Sequence, residues 1–367
     1  MPTMTLPAGR AVSVAVGLYV AVLLTSVFAP AYLDMHAVLI AVPAVVAMAY
    51  RPWLTASAGV VALATRVLLH PETRTGEYTN STGTSAAILI VTLFGCWVGW
   101  ERRRQDARLS RVQSVAEVAQ RALLRPVPRM IGRFGFAVRY RAAAEEASIG
   151  GDLYEVLETP YGVRVLLGDV RGKGLGAVDV AARTLGAFRE AAYDAPTLAE
   201  VGNRVDRSLG RQLDGEDFVT AVMVELSPEE GAMQVLACGH PSPLLVRSGT
   251  VGEVIAEAGL PLGMDLSEPT TRVVDRVRFR PGDVLLLHTD GVTEARDTTG
   301  RFYALTDHLA THAHNDASAM LDAVEQGLLA HVGGKLEDDA AMLAVTLPGP
   351  LMKVVKPART LLPAVRP

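Results

Sequence analysis

Cysteine is almost missing from this 367-residue chain, which has only Cys96 and Cys238. One lies in an apolar run and the other among strand-like segments, so no bridge between them is expected. With no CxxC pair and no Cys/His cluster, nothing suggests a zinc site. An excess of either charge is also missing: 35 Lys and Arg face 39 Asp and Glu, for a net charge of −4. That balance argues against a nucleic-acid-binding protein. Charge is scarce before Trp100, where most of the apolar excess lies, and the length suggests about two domains.

What fills that first part is hydrophobic. Four apolar stretches follow one another: Val12–Ala29, Ala37–Tyr50, Trp53–Leu69 and Ser85–Trp100. Each is at or slightly below the length of about 20 residues that a membrane-spanning helix needs. The second is the weakest, being short and interrupted by Pro43. A cleaved signal peptide accounts for one such stretch and not for four. Arg10, Arg51 and the cluster Arg102, Arg103 and Arg104 flank these stretches on one side, whereas the 30–36 connection has no Lys or Arg. The positive-inside rule then predicts a multi-pass plasma-membrane protein with both termini cytoplasmic. Four spanning helices over residues 1–100 would meet lipid directly.

Glu101–Arg125 contains neither Gly nor Pro. Leu109, Val112, Ala116, Ala119 and Leu123 recur every three or four residues, the spacing of one helical stripe. Residues 101–130 therefore read as a connector helix ended by Pro126 and Pro128. Such a helix serves either as a passive spacer or as a lever that forms a homodimer, and the pattern leaves both open.

From about residue 131 to 348 the pattern becomes that of a soluble α+β domain. Strand-like runs occur at Phe136–Tyr140, Val163–Leu167, Phe218–Leu226, Met233–Cys238, Leu244–Arg247, Arg272–Phe279, Val284–His288 and Ala341–Leu347. Helical patterns cover Leu175–Ala192, Leu198–Leu213, Leu305–His314 and Ser318–Val332. Strands arrive in consecutive runs rather than in βαβ alternation, which predicts antiparallel sheets with helices packed outside. Acidic residues stand at the strand ends: Asp152 after Gly150-Gly151, Asp169 before the turn Arg171-Gly-Lys-Gly174, Asp290 before Gly291, and the pair Asp338 and Asp339. Carboxylates and backbone carbonyls without cysteine suit hard cations such as magnesium or manganese. Converging carboxylates repel one another unless cations lie between them, and two cations can clamp a phosphoryl oxygen for in-line attack. The glycines would let the Val170 carbonyl act as a further ligand.

These motifs resemble those of the bacterial branch of the protein phosphatase 2C superfamily, the sporulation stage II protein E type. The likeness rests on Gly151-Asp-Leu-Tyr154, Gly168-Asp-Val-Arg-Gly-Lys-Gly174, Cys238-Gly-His-Pro241, Gly259-Leu-Pro-Leu-Gly263, Thr289-Asp-Gly-Val-Thr-Glu294 and Asp338-Asp339. Val118-Ala-Gln-Arg-Ala-Leu-Leu-Arg-Pro126 is similar to the segment that leads into such domains. The resemblance implies two stacked antiparallel sheets flanked by helices, and two or more Mn2+ or Mg2+ ions between the sheet ends. Asp169 would bridge two of them, Val170 would add its carbonyl, and Asp152 would serve one ion. Asp290 and Asp338 would serve the other, with Asp339 as the alternative in that register. A hydroxide bridging the ions would attack phosphoserine or phosphothreonine with no covalent phosphoenzyme. The implied substrate is a phosphoprotein, typically an anti-sigma-factor antagonist in a partner-switching pathway.

Two departures stand out. Ala341 replaces a Thr of the last motif, and Arg171 stands where eukaryotic relatives have a histidine that could act as general acid. Arg171 cannot donate a proton near neutral pH, although it and Lys173 could touch substrate phosphate. His240 and His288 read as structural residues before acids. The Gly-Gly-Asp stretch lacks the second acid of a diguanylate cyclase. The 168–174 turn lacks the spacing and hydroxyl of a P-loop. A catalytically silent regulator built on the same fold is the alternative function. Residues 349–367 are basic and Pro-rich, and disorder is expected there.

Overall fold

The computed structural model describes residues 39–48, 51–69, 78–143, 151–213, 217–227, 231–254, 256–264, 272–311 and 316–348, with a few isolated positions before residue 39. The chain forms two compact units, Met1–Val112 and Gln113–Pro367. Most of the first expected span and the basic tail lie outside the described residues.

In the first unit, α1 is Ala41–Ala47 and α2 is Pro52–Leu69. The stretch expected to span at Ala37–Tyr50 thus yields an α-helix of only 7 residues, with Pro43 in its first turn. The four-helix expectation therefore finds no support among the described residues. Among the described residues one helix is long and apolar enough to cross a membrane, Thr82–Arg108, while the apolar Pro52–Leu68 is shorter. The fourth span and the connector are also not separate: α3 runs unbroken over Tyr78–Leu123 for 46 residues. No Pro interrupts it, and Pro126 and Pro128 follow its end.

The second unit holds two six-stranded sheets. The first sheet contains β1 (Met130–Ile131), β2 (Phe134–Arg141), β7 (Leu244–Arg247), β8 (Thr250–Glu253), β11 (Val284–His288) and β12 (Ala340–Thr346). Its strand order is β1-β2-β12-β11-β7-β8. The second contains β3 (Asp152–Thr159), β4 (Gly162–Val170), β5 (Val219–Leu226), β6 (Ala232–Cys238), β9 (Ala258–Gly259) and β10 (Asp275–Arg278). Its order is β10-β6-β5-β4-β3, with the short β9 paired parallel to β6. All other ladders are antiparallel.

Three apolar layers result. Phe136, Val165, Val224, Leu285 and Leu343 meet between the sheets. Outside the second sheet, α4 (Leu175–Asp194) and α5 (Leu198–Gly210) bury Leu185, Phe188 and Val205. Outside the first, α7 (Leu305–Thr311) and α8 (Ala317–His331) bury Leu309, Met320 and Val324. This is an α-β-β-α sandwich, the fold class expected. Local chemistry sets the helix starts: Thr197 caps α5 by accepting from Glu200 N at 3.3 Å, and Asp316 caps α8 from Ser318 N at 2.8 Å.

β3 was not among the expected strands, because Asp152, Glu155 and Glu158 disguise it. Glu155 is nevertheless buried, paired with Arg189 of α4 at 2.5 Å. β10 is shorter than the Arg272–Phe279 run because Arg272 turns inward. Its guanidinium meets Asp206 of α5 at 2.9 Å and the Cys238 sulfur at 3.0 Å.

Candidate metal centre

The strand ladders bring the acidic residues to one end of the sandwich. Asp152 opens β3 and lies directly opposite Asp169 near the end of β4. On its other side Asp169 faces Thr220 of β5, whose hydroxyl donates to the Asp169 carbonyl at 3.3 Å. In the first sheet β11 and β12 are neighbours, so Asp290, the first residue of the short helix α6 (Asp290–Thr293), lies beside the Asp338–Asp339 pair that precedes β12. A Cβ at Gly291 would run into the Asp339 carbonyl, and one at Gly151 into that of Val170. The close packing explains why glycine is needed at both positions.

Thr289, fully buried, joins the two sheets. Its hydroxyl donates to Asp152 Oδ2 at 3.0 Å and accepts from Ala341 N at 3.0 Å. Tyr140 of β2 donates to Asp339 Oδ2 at 2.7 Å, and Ala143 N donates to Asp339 Oδ1 at 2.7 Å. Asp339 is therefore the buried, braced member of its pair. Asp338 is largely exposed and contacts Lys173 Nζ at 2.8 Å. This is where the structure puts Lys173, which sequence suggested as a phosphate contact. Arg171 is exposed, with its guanidinium 5.4 Å from the Phe218 ring centre.

The electrostatics are those of an acidic cluster. Burial, then the charges of Asp169 and Asp339, push the Asp152 carboxyl well above the usual range. Burial, then Asp290, Asp338 and Asp339, push Asp169 up to about 7, opposed by Lys173. Burial also raises Asp339, against the donors Ala143 and Tyr140. Such groups favour a nearby cation. The donor set is all oxygen, which fits Mg2+ or Mn2+, and Lys173 already places a positive charge on Asp338. Among the described residues no three His, Cys, Asp or Glu side chains close on a single point. The carboxylates share one region, with Asp152 turned toward Thr289, Asp339 toward Tyr140 and Asp338 toward Lys173.

The histidines behave as core residues. His240 Nδ1 lies 3.1 Å from the Thr220 hydroxyl, and burial followed by the neighbouring His288 lowers its pKa to about 3. His288 Nδ1 lies 3.2 Å from the Thr289 carbonyl and is likewise pushed down by burial. Both are neutral at physiological pH and poorly placed to deliver a proton. Sequence reasoning missed Thr289, Tyr140 and Thr220 as parts of this centre. Only Thr289 carried a signal, by standing inside a quoted motif.

Known proteins resemble this chain in sequence and in fold. The family model described as Stage II sporulation protein E (SpoIIE) matches residues 159–348, just over half of the chain. That span includes Asp169, Asp290, Asp338 and Asp339 and begins after Asp152. Protein IcfG of Synechocystis is 26% identical over 236 residues, covering 54% of this chain and 36% of its own. The chain thus spans about a third of the length of that curated relative. Among solved structures, the RsbU and RsbW domains of a Mycobacterium tuberculosis protein align at 28% identity with TM-score 0.51, over 59% of this chain and 61% of theirs. The SiaA-PP2C domain of Pseudomonas aeruginosa aligns at 19% identity with TM-score 0.56, over 67% of this chain and 97% of its own, a likeness of fold.

Proposed function

The chain belongs to the Stage II sporulation protein E (SpoIIE) family and carries a PP2C-type serine/threonine phosphatase domain, and from that premise we propose that it is a membrane-anchored, metal-dependent protein phosphatase. The observation that carries the reading is the gathering of Asp152, Asp169, Asp290, Asp338 and Asp339 at one end of the sandwich, with Asp152 and Asp169 destabilised as free carboxylates. Two divalent cations, when bound, would supply Lewis-acid polarisation of phosphate and activation of water. Asp152, Asp169, Asp290, Asp338 and the Val170 carbonyl would be the groups that hold them. Asp339, held by Tyr140 and Ala143, would steady Asp290 and Asp338. Thr289 would keep Asp152 oriented with its lone pairs toward the cations. Arg171 and Lys173, both on the turn after β4, would meet the substrate phosphate.

The expected substrate is phosphoserine or phosphothreonine on an anti-sigma-factor antagonist of a partner-switching pathway. The Mycobacterium tuberculosis relative, in which RsbU and RsbW domains occur together, supports that choice. Residues 1–100 would anchor the chain in the plasma membrane, 101–130 would connect, and 131–348 would catalyse, with 349–367 as a basic tail. The apolar helix Thr82–Arg108 supports the anchor.

The test is Mn2+-dependent hydrolysis of a phosphoserine peptide by the full chain in detergent, beside Asp169→Asn. Activity that needs the metal and falls to background in the variant is the expected result. Wild-type protein that binds the phosphopeptide yet releases no phosphate would favour a catalytically silent regulator.

A further inference from the structure

The end of α3 sets a polar group into an otherwise apolar contact. Ala119 and Leu123, one turn apart, pack against Val178 of α4, and Leu123 and Leu124 border the core beneath that helix. Arg189 of α4 donates to the Leu123 carbonyl at 3.1 Å while holding Glu155. Between these contacts lies Gln120, only 6% exposed. A buried amide left without partners costs about 1–3 kcal/mol, so its partners are informative.

Gln120 Nε2 donates to the Tyr140 hydroxyl at 2.9 Å and approaches the Asp152 carbonyl at 3.5 Å. Tyr140 in turn donates to Asp339 Oδ2 at 2.7 Å. Chemistry fixes the direction of this chain. An ionised carboxylate only accepts, so the tyrosine proton goes to Asp339 and the phenol oxygen is left to accept. The amide must then present its nitrogen, because a flipped amide would set its oxygen against the Asp152 carbonyl. One side chain therefore touches both halves of the acidic centre. It reaches Asp339, which precedes β12, through Tyr140, and it approaches Asp152, the first residue of β3, directly.

We propose that Gln120 is a positioning residue for the acidic centre, fixing Asp339 through Tyr140 and steadying the backbone at Asp152. The proposal rests on the reading of that centre as a divalent-cation site. Without the amide the phenol loses its donor. Asp339 then loses its fixed orientation, and the carboxylate beside it loses its neighbour's brace. An amide that merely fills space would have no such reach.

The experiment measures Mn2+ affinity of the full chain in detergent from the spin-resonance signal of free Mn2+, together with the thermal midpoint. The variants are Gln120→Met, close in size and apolar, Tyr140→Phe, which removes one oxygen, and the pair combined. Outer-shell partners of metal ligands typically change affinity by about 10- to 100-fold. Each single variant is expected to weaken Mn2+ binding by about 10-fold, and the combination to be no worse than the weaker single variant. Gln120→Met that lowers the thermal midpoint while binding Mn2+ like wild type would overturn the proposal. So would single effects that simply add, since independent actions are not a relay. Wild-type protein that binds no Mn2+ would instead overturn the cation reading, and the relay with it.

Discussion

Two runs of large apolar residues in this chain end in opposite environments. In α3, Leu89, Ile90, Leu93, Phe94 and Trp97 are 48–67% exposed, whereas Val284, Leu285, Leu286 and Leu287 of β11 are 1% exposed or less. Both runs read as apolar in the sequence. In β11 the protein itself supplies the apolar partner, since the strand lies between β12 and β7 with helices on one side and the other sheet on the other. In α3 those side chains are exposed on a helix long and apolar enough to cross a membrane, which supports the proposed anchor.

Substitution should separate the two environments. Leu286→Ala is expected to destabilise the phosphatase domain by about 2–5 kcal/mol, because the vacated volume cannot fill. Leu93→Ala should change stability by no more than about 0.5 kcal/mol, as at other open surface positions. Chemical denaturation of both variants checks this, and equal losses would mean that Leu93 has a protein partner. The converse substitution, Leu93→Arg, should cost about 2.5–3.5 kcal/mol at the centre of a spanning helix. It should shift the chain out of the membrane fraction while phosphatase activity in detergent stays at the wild-type level. Unchanged partition would count against α3 as an anchor.

Within the second unit the contrast is between the carboxylates of the acidic centre and the groups that hold them. Thr289→Val keeps the shape and removes the hydroxyl between Asp152 and Ala341. Turnover at fixed Mn2+ is expected to fall about 10- to 100-fold, with partial recovery at saturating Mn2+. No recovery would mean that Thr289 acts on something other than the acidic cluster. The smallest effect concerns His240, whose folded pKa of about 3 lies below its usual 6.5. The unfolded chain takes up that proton as pH falls through 6.5, while the folded chain stays neutral until about 3. The stability contributed by neutral His240 is thus whole above pH 6.5 and is lost progressively on acidification. Thermal midpoints between pH 7 and 5 should fall less steeply in His240→Gln than in wild type.

The parts legible in sequence were those whose signal is local. β7 and β11 fall where their apolar runs predicted, and Asp169 and Asp290 announce themselves by ending such runs beside glycine. β3 was hidden because Asp152, Glu155 and Glu158 look like loop residues until Arg189 is seen beside Glu155. Tyr140 and Thr220 carried no local signal at all, and Gln120 only its place inside the Val118–Pro126 segment. Their importance comes from the ladders that place β2 beside β12, β4 beside β5, and α3 against α4. The four-span expectation met a different limit: Ala41–Ala47 is apolar enough, but Pro43 and its short length leave only two helical turns.

An anomalous-scattering map of the full chain crystallised with Mn2+ would show whether the acidic sheet ends form a two-cation hydrolytic centre. Two peaks are expected roughly 3.5–4 Å apart, with the Asp169 carboxylate between them and Asp290 and Asp338 on one. A map with no peak at the ends of β4 and β11, or with a single ion that Asp169 does not contact, would contradict it.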